Sequence, residues 1–237
     1  ESDILVALRY LESYAISLSR PLVIFFGIGT NMGDHEGHSV LADYMNRIAT
    51  KRSRAIVVCG GNEGNSARHY MGISAEGLRE TLDNVEIRVG EGTAGFTAEL
   101  WGSVSANHAI SIRAPGGEIT PRVDFRGQGS QEFGFIYERT RIQVDHILVE
   151  QSSGEELIFF RFLGPTPGIW TIQVAITSDR NSETTFHIWL PITEVLKEDT
   201  YFLKPSPYTT LTEPSNARDV ITTSVYDDAN GSFWAES

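Results

Sequence analysis

Apolar positions along this chain follow two rhythms. In residues 3–18, Ile4, Leu8, Leu11, Ala15 and Leu18 recur at helical spacing, with Ala7 and Tyr14 beside them. Ser2 or Asp3 can cap this helix, and Pro21 ends it. Residues 22–28 form a continuous apolar run, as a buried strand requires. A loop over 29–37 follows. Val40, Leu41, Tyr44, Met45 and Ile48 then make one face of a second helix that ends near Lys51 and Arg52. Residues 55–59 are the next apolar run, and they stop at Gly60-Gly61-Asn62-Glu63-Gly64. Helix, strand, helix, strand with short loops predicts an open parallel α/β sheet.

After Gly64 the helical period disappears. Short runs at 85–89, 95–101, 109–113, 119–125, 132–138, 143–150, 156–163, 169–176 and 185–191 read as strands. Gly-Glu-Gly, Pro-Gly-Gly, Gly-Gln-Gly, Ser-Ser-Gly and Pro-Thr-Pro-Gly punctuate them. Ile172, Val174 and Ile176 alternate with polar neighbours, the mark of a strand with one buried face. So many strands without helices between them predict a β-sandwich or jelly roll. The expected fold is α/β with an all-β insert: 1–71 and 206–237 form one domain, and 72–205 interrupt it.

Composition adds boundaries. The chain has 237 residues, 41% hydrophobic and 21% charged, enough for a substantial core. Its net charge of −12 argues against a nucleic-acid partner, and the acids are spread along the chain as on a solvated surface. Cys59 is the single cysteine, so no intrachain disulfide can form. No apolar run approaches the ~20 residues of a membrane span. The opening Glu1-Ser2-Asp3 is unlike a signal peptide and leads directly into a helix, so we expect a fragment that begins in mid-fold.

Candidate chemistry centres on the turn after residues 55–59. There Asn62 can stand clear of the backbone and donate its NH2 to an oxyanion, as acyl transfer requires. It can equally be a turn residue chosen because asparagine tolerates left-handed backbone. Asp34-His35-x-x-His38 has a metal-like look, but a Gly-bounded loop opening a helix is an ordinary place for capping and surface residues. We expect no metal there and no cofactor. Gly27-x-Gly29-x-x-x-Gly33 imitates a dinucleotide loop, but the next strand ends in Cys59-Gly60 with no acid for a ribose. His69, His108, His146 and His187 are scattered. Trp101, Trp170 and Trp189 suit a sandwich core better than a carbohydrate platform.

Three segments, taken in order, resemble the subtilisin-like serine proteases. Val23 to Gly29 is similar to their "VINMSLG" strand. Ala55 to Gly64 is similar to "AAAGNEG". Pro214 to Thr222 resembles "P-x-x-A-x-x-V-I", followed by Gly231-Ser232-Phe233 where the family has "SFS". The loop Gly29-Thr30-Asn31-Met32-Gly33-Asp34-His35-Glu36-Gly37 is similar to "GTNxGxHDG" of the clostridial spore-germination branch, which carries a jelly roll inserted here.

The resemblance implies a serine endopeptidase acting on peptide or protein substrates, spore-associated or secreted. Asn62 would be the oxyanion-hole donor. Gly27, Ile28 and Gly29 would pair with substrate backbone. Cys59, Gly60 and Gly61 would form one wall of the S1 pocket, with Glu63 near its base. Gly27 departs from the usual serine, and Cys59 and Gly60 from the usual alanines. The family's Asp, His and Ser motifs fall outside this chain, so the chain alone is expected to be inactive. A catalytically dead relative used as a sensor or partner-binding protein, and a glycan-binding β module, are the rival readings. The run at 22–28 would be an uncovered sheet edge, through which the fragment is expected to self-associate.

Overall fold

The computed structural model describes residues 2–74, 80–124, 126, 129–177 and 183–234. Among them are two helices, α1 (Ser2–Ser17) and α2 (Val40–Ala49). The strands in chain order are β1 (Leu22–Phe26), β2 (Arg54–Cys59), β3 (His69–Ile73), β4 (Glu80–Val89), β5 (Gly95–Gly102), β6 (Asn107–Arg113), β7 (Ser130–Phe135), β8 (Thr140–Ile147), β9 (Glu156–Leu163), β10 (Gly168–Thr177), β11 (Thr185–Trp189), β12 (Tyr201–Phe202), β13 (Ile221–Thr223), β14 (Tyr226–Asp227) and β15 (Ser232–Phe233). The chain divides into two compact units, Glu1–Gly64 with Thr210–Ser237, and Asn65–Thr209.

This corrects the expected fold class. The molecule is mostly β, and its strands are mainly antiparallel. Among the described residues the parallel part is one sheet of three strands in the order β1-β2-β13. The helix–strand rhythm that predicted α/β stops at Gly64, and antiparallel strands, most of them paired with strands distant in sequence, supply most of the remaining ordered structure.

In the first unit, Leu8, Ile24, Met45, Ile48, Ile56 and Val58 form the core. Ser39 caps α2, its hydroxyl accepting from Ala42 N–H at 3.1 Å, and Arg47 sits in the last turn where a cation suits the helix dipole. β1 buries only one side. Ile24 points into the core, while Val23 and Phe25 are 68% and 69% exposed, so this strand is not the doubly buried one its composition predicts. α1 likewise turns Leu11 outward and buries Glu12, whose carboxylate meets Lys51 Nζ at 2.5 Å, and Leu18 just past its end is exposed as well.

The second unit is a two-sheet antiparallel sandwich. One sheet runs β12-β4-β10-β6 and the other β3-β11-β5-β9-β8-β7. Alternate residues of both sheets meet in one core built around Trp170, Phe160, Phe162, Phe186 and Phe202, all fully buried. Trp170 packs edge-on against Phe135 and Phe162, and its indole N–H donates to Thr166 O at 2.9 Å. Arg68 is 1% exposed. Its guanidinium donates to the carbonyls of Leu196, Lys197 and Thr200, tying the segment before β12 to the entry of β3. The expected strand over 119–125 is reduced to two bridges, Ile110↔Val123 and Arg113↔Ile119, because Pro121 has no N–H for a ladder. Phe125 itself lies outside the described residues.

Candidate functional site

The candidate site is built where β1 and β2 end. Beyond Cys59 the backbone leaves the sheet, with Gly61 at φ 99, a conformation that glycine adopts without strain. Gly60 is held from two directions. Its N–H donates to Thr223 O at 2.8 Å, and its carbonyl accepts from Thr212 N–H at 2.9 Å. Asn62 follows on this clamped turn. It is exposed, and among the described residues its carboxamide has no hydrogen-bond partner. A fixed turn that displays a free NH2 can stabilise an oxyanion with little reorganisation. Cys59 is half-buried with a free thiol. Glu63 is 4% exposed, with Asn31 Nδ2 3.5 Å from its carboxylate.

The facing segment leaves β1. Register with β2 ends at Phe26↔Val58, so Gly27, Ile28 and Gly29 continue past the strand without ladder partners. The strand is thus shorter than the expected 22–28. Gly27 and Ile28 are exposed and Gly29 is half-buried. Thr30 then bridges to Glu213 by two backbone bonds of 3.0 and 2.8 Å, which anchors the segment just beyond Gly29. The structure therefore brings Gly27–29 and Cys59–Glu63 into one unit, each braced by the segment 211–216.

The loop 30–39 carries a polar network that the sequence does not announce. His38 Nδ1 lies 2.5 Å from Asp34 Oδ2. Glu213, 4% exposed, accepts from Ser39 Oγ at 3.1 Å and from Asn216 Nδ2 at 2.5 Å. Burial pushes the Glu213 carboxyl above its ordinary range. The Asp34 carboxyl beside it adds to the shift, and the two hydrogen bonds oppose it. His35 turns the other way, its Nε2 3.0 Å from Asn31 O, and burial lowers its pKa. The Asp34-His35-x-x-His38 motif thus splits between two jobs. Among the described residues no three His, Cys, Asp or Glu side chains converge to hold a metal ion.

In the sandwich, the scattered histidines fall into two groups. His69 Nε2 lies 2.9 Å from His187 Nδ1, and both rings stack near Trp189. His108 Nδ1 and His146 Nε2 each lie 2.6 Å from a different oxygen of Glu156, with all three side chains fully buried. Burial alone would raise the Glu156 carboxyl; the bonds and charge of the two histidines outweigh it and leave it below its usual range. Strand pairing brings His69 to His187 and His146 to Glu156, while His108 on β6 meets Glu156 from the other sheet, so spacing along the sequence could not have found either group. Trp101, Trp170 and Trp189 are all buried, which leaves no exposed platform of those rings.

With this geometry in hand, comparison with solved structures gives a clear relation. The chain is similar to the CspB protease of Clostridium perfringens, with a TM-score of 0.85 and 28% identity over 99% of this chain and 48% of that chain. The likeness is to a protease. It supports the subtilase resemblance at the level of fold, over about half the length of the CspB protease chain. No family model matches the chain. No curated protein matches it. The chain therefore has a protease-like fold and no shown sequence family. Among the described residues no helix is long and apolar enough to cross a membrane.

Proposed function

We propose that this chain is the oxyanion-donor and substrate-binding part of a subtilisin-like serine endopeptidase. The observation that carries the reading is Asn62, an exposed carboxamide without a partner among the described residues, on a turn clamped at Gly60 by Thr223 and Thr212. Gly27, Ile28 and Gly29 offer unpaired backbone to an extended peptide by strand addition. Cys59, Gly60 and Gly61 form the opposite wall of the S1 pocket, with Glu63 near its base. The likeness to the CspB protease supports this reading. In the reaction, attack on the peptide carbonyl moves charge onto its oxygen, and the Asn62 NH2 donates to that oxygen most strongly once it is negative.

In the protease that contains this chain, Asn62→Ala lowers kcat by ~10²–10³ with little change in KM. That figure comes from the oxyanion asparagine of a subtilisin. Steady-state kinetics on a peptide p-nitroanilide tests it, and an unchanged kcat would reduce Asn62 to a turn residue. On this reading the Asp-His-Ser triad comes from other parts of the protein. The 237-residue chain alone then has no turnover that a serine-reactive phosphonate abolishes. We further propose that copies of the chain pair through the β1 edge, a reading supported by the exposure of Val23 and Phe25.

A further inference from the structure

The outer face of the β5–β9 pair in the sandwich carries an open groove of about 310 Å³. Strand register makes it. Gly95 lies opposite Leu163 and Thr97 opposite Arg161, and alternation puts these four residues on one face of the sheet. Phe96 and Phe162 point the other way, stacked at 4.5 Å in the core, and give the groove a firm floor. Gly95 opens the hollow because it has no side chain to fill the space beside Leu163. A Cβ there would stand 2.6 Å from Phe162 O. The facing wall is the turn 191–196, with Pro191 and Val195 on the groove.

That wall is fixed. The N–H groups of Val195 and Leu196 both donate to Ile192 O at 3.0 Å. Leu196 is buried, and its carbonyl accepts from the Arg68 guanidinium at 2.8 Å. Val195 is nonetheless 74% exposed, so a braced turn holds an apolar side chain out over the groove. Arg161 supplies the polar end. Its Cζ lies 5.7 Å from the centre of the Phe159 ring, and its Nη1 donates to Gln143 Oε1 at 3.2 Å. Among the described residues no carboxylate stands within ion-pair distance of it. Acidic side chains outnumber basic ones by 31 to 19 in this chain, yet this guanidinium keeps most of its five donors for a carboxylate from outside.

We propose that this groove binds the C-terminal end of a peptide. The terminal carboxylate takes two parallel hydrogen bonds from Arg161, and the last side chain, an apolar one, fills the hollow over Gly95 between Leu163 and Val195. Arg161 and Leu163 are two positions apart on one strand face, about 7 Å. A C-terminal leucine matches that span, because its carboxylate and its apolar side chain leave the same Cα. An acidic side chain inside a peptide would bring its apolar partner on a neighbouring residue, with more backbone than the groove can hold. The volume equals roughly ten water molecules, at the small end of ligand sites, and suits one or two residues. This site lies within the sandwich and does not depend on the Asn62 reading.

The test uses the 237-residue chain, labelled with 15N and titrated with three small peptides. These are acetyl-Ala-Leu with a free carboxylate, the same peptide as its C-terminal amide, and acetyl-Leu-Glu amide, whose only carboxylate is on a side chain. The readouts are the backbone amides of Thr97, Leu163 and Val195. The free acid is expected to bind at least about ten-fold more tightly than either amide, the worth of a charge-assisted contact. Arg161→Gln removes the charge at an exposed position, so it should bring the free acid down to the level of its amide with no change in melting temperature. Val195→Ser should weaken the acid and the amide of acetyl-Ala-Leu alike, by several-fold. Equal binding of acid and amide, or an acid preference that survives Arg161→Gln, would overturn the proposal. So would binding of acetyl-Leu-Glu amide as tight as that of the free acid, since the groove would then read acidic side chains. Absence of any shift at the three reporters with millimolar peptide would overturn it as well.

Discussion

Two buried carboxylates set opposite pH dependences in the two units. Glu156 sits between two imidazoles, and its folded pKa lies below the ordinary glutamate value. Its stabilisation is therefore complete above about pH 4.3, the unfolded value, and is lost as pH falls through the depressed folded pKa. Glu213 has the reverse sign. Its pKa is raised, so its favourable contribution exists below the unfolded value and is lost as pH rises through the folded one. Glu213→Gln cannot ionise yet keeps an oxygen for Ser39 or Asn216. Measured by urea midpoint, this variant should gain on wild type as pH rises from about 4 and then level off once Glu213 has ionised. Glu156→Gln should fall behind wild type as pH rises towards about 4.3 and stay behind by a constant amount above it. Curves that run parallel to wild type would mean that neither carboxyl titrates differently in the fold. At this scale the turn after β2 was legible, because glycines at a strand end mark it, and Asn62 lies exposed on that turn. Thr212 and Glu213 were not legible. They matter because residues 211–216 return from far along the chain to brace Gly29 and Gly60, as in the Thr212–Gly60 hydrogen bond with its separation of 152.

At the scale of elements, β3 and Arg68 decide where the sandwich begins. β3 pairs with β11 from His69↔Trp189 to Ile73↔Thr185, and Arg68 holds three carbonyls of the segment 196–200. A piece covering 65–209 should therefore give a β-type spectrum and one cooperative melt. A piece covering 72–205 loses Arg68 and most of β3, exposes the β11 edge, and should melt several degrees lower, since each kcal/mol is worth roughly 2–4 °C in a domain of about this size. Equal melting of the two pieces would show that β3 is peripheral. Much of the sandwich was readable because alternation persists along its central strands: 156–163 and β9 coincide, and 169–176 lies within β10. Errors gathered where other forces set the ends. β8 begins at Thr140 rather than 143, where the Thr140 hydroxyl donates to Gly164 O at 3.0 Å. β3 escaped notice because His-Tyr-Met-Gly-Ile has no simple period, although its Tyr70 does point into the core.

At the scale of the whole molecule, the parallel sheet poses the question of what its free edge does. Among the described residues, the order β1-β2-β13 leaves β1 paired on one side only. Its sequence, Leu-Val-Ile-Phe-Phe, contains no charge, no proline and no bulge to discourage another strand. Val23 and Phe25 on its outer face are 68% and 69% exposed, and Ile28 and Ile221 are 59% and 56% exposed. Large apolar side chains gathered in this way mark an interaction surface more often than a bare one. The simplest closed solution is a two-fold pairing of β1 with β1 of a second copy. It would satisfy both edges at once and join two three-stranded sheets into one of six. Net charge of −12 per copy opposes the encounter, so added salt should strengthen the association by screening it. Light scattering on the 237-residue chain at micromolar concentration should give twice the monomer mass of 26.2 kDa, more completely at 0.5 M than at 0.05 M salt. Phe25→Lys puts a charge on the outer face of the edge and should return the mass to that of the monomer without lowering the melting temperature of the fold. A monomer at both salt concentrations, unchanged by Phe25→Lys, would show that the β1 edge does not template pairing despite its sequence.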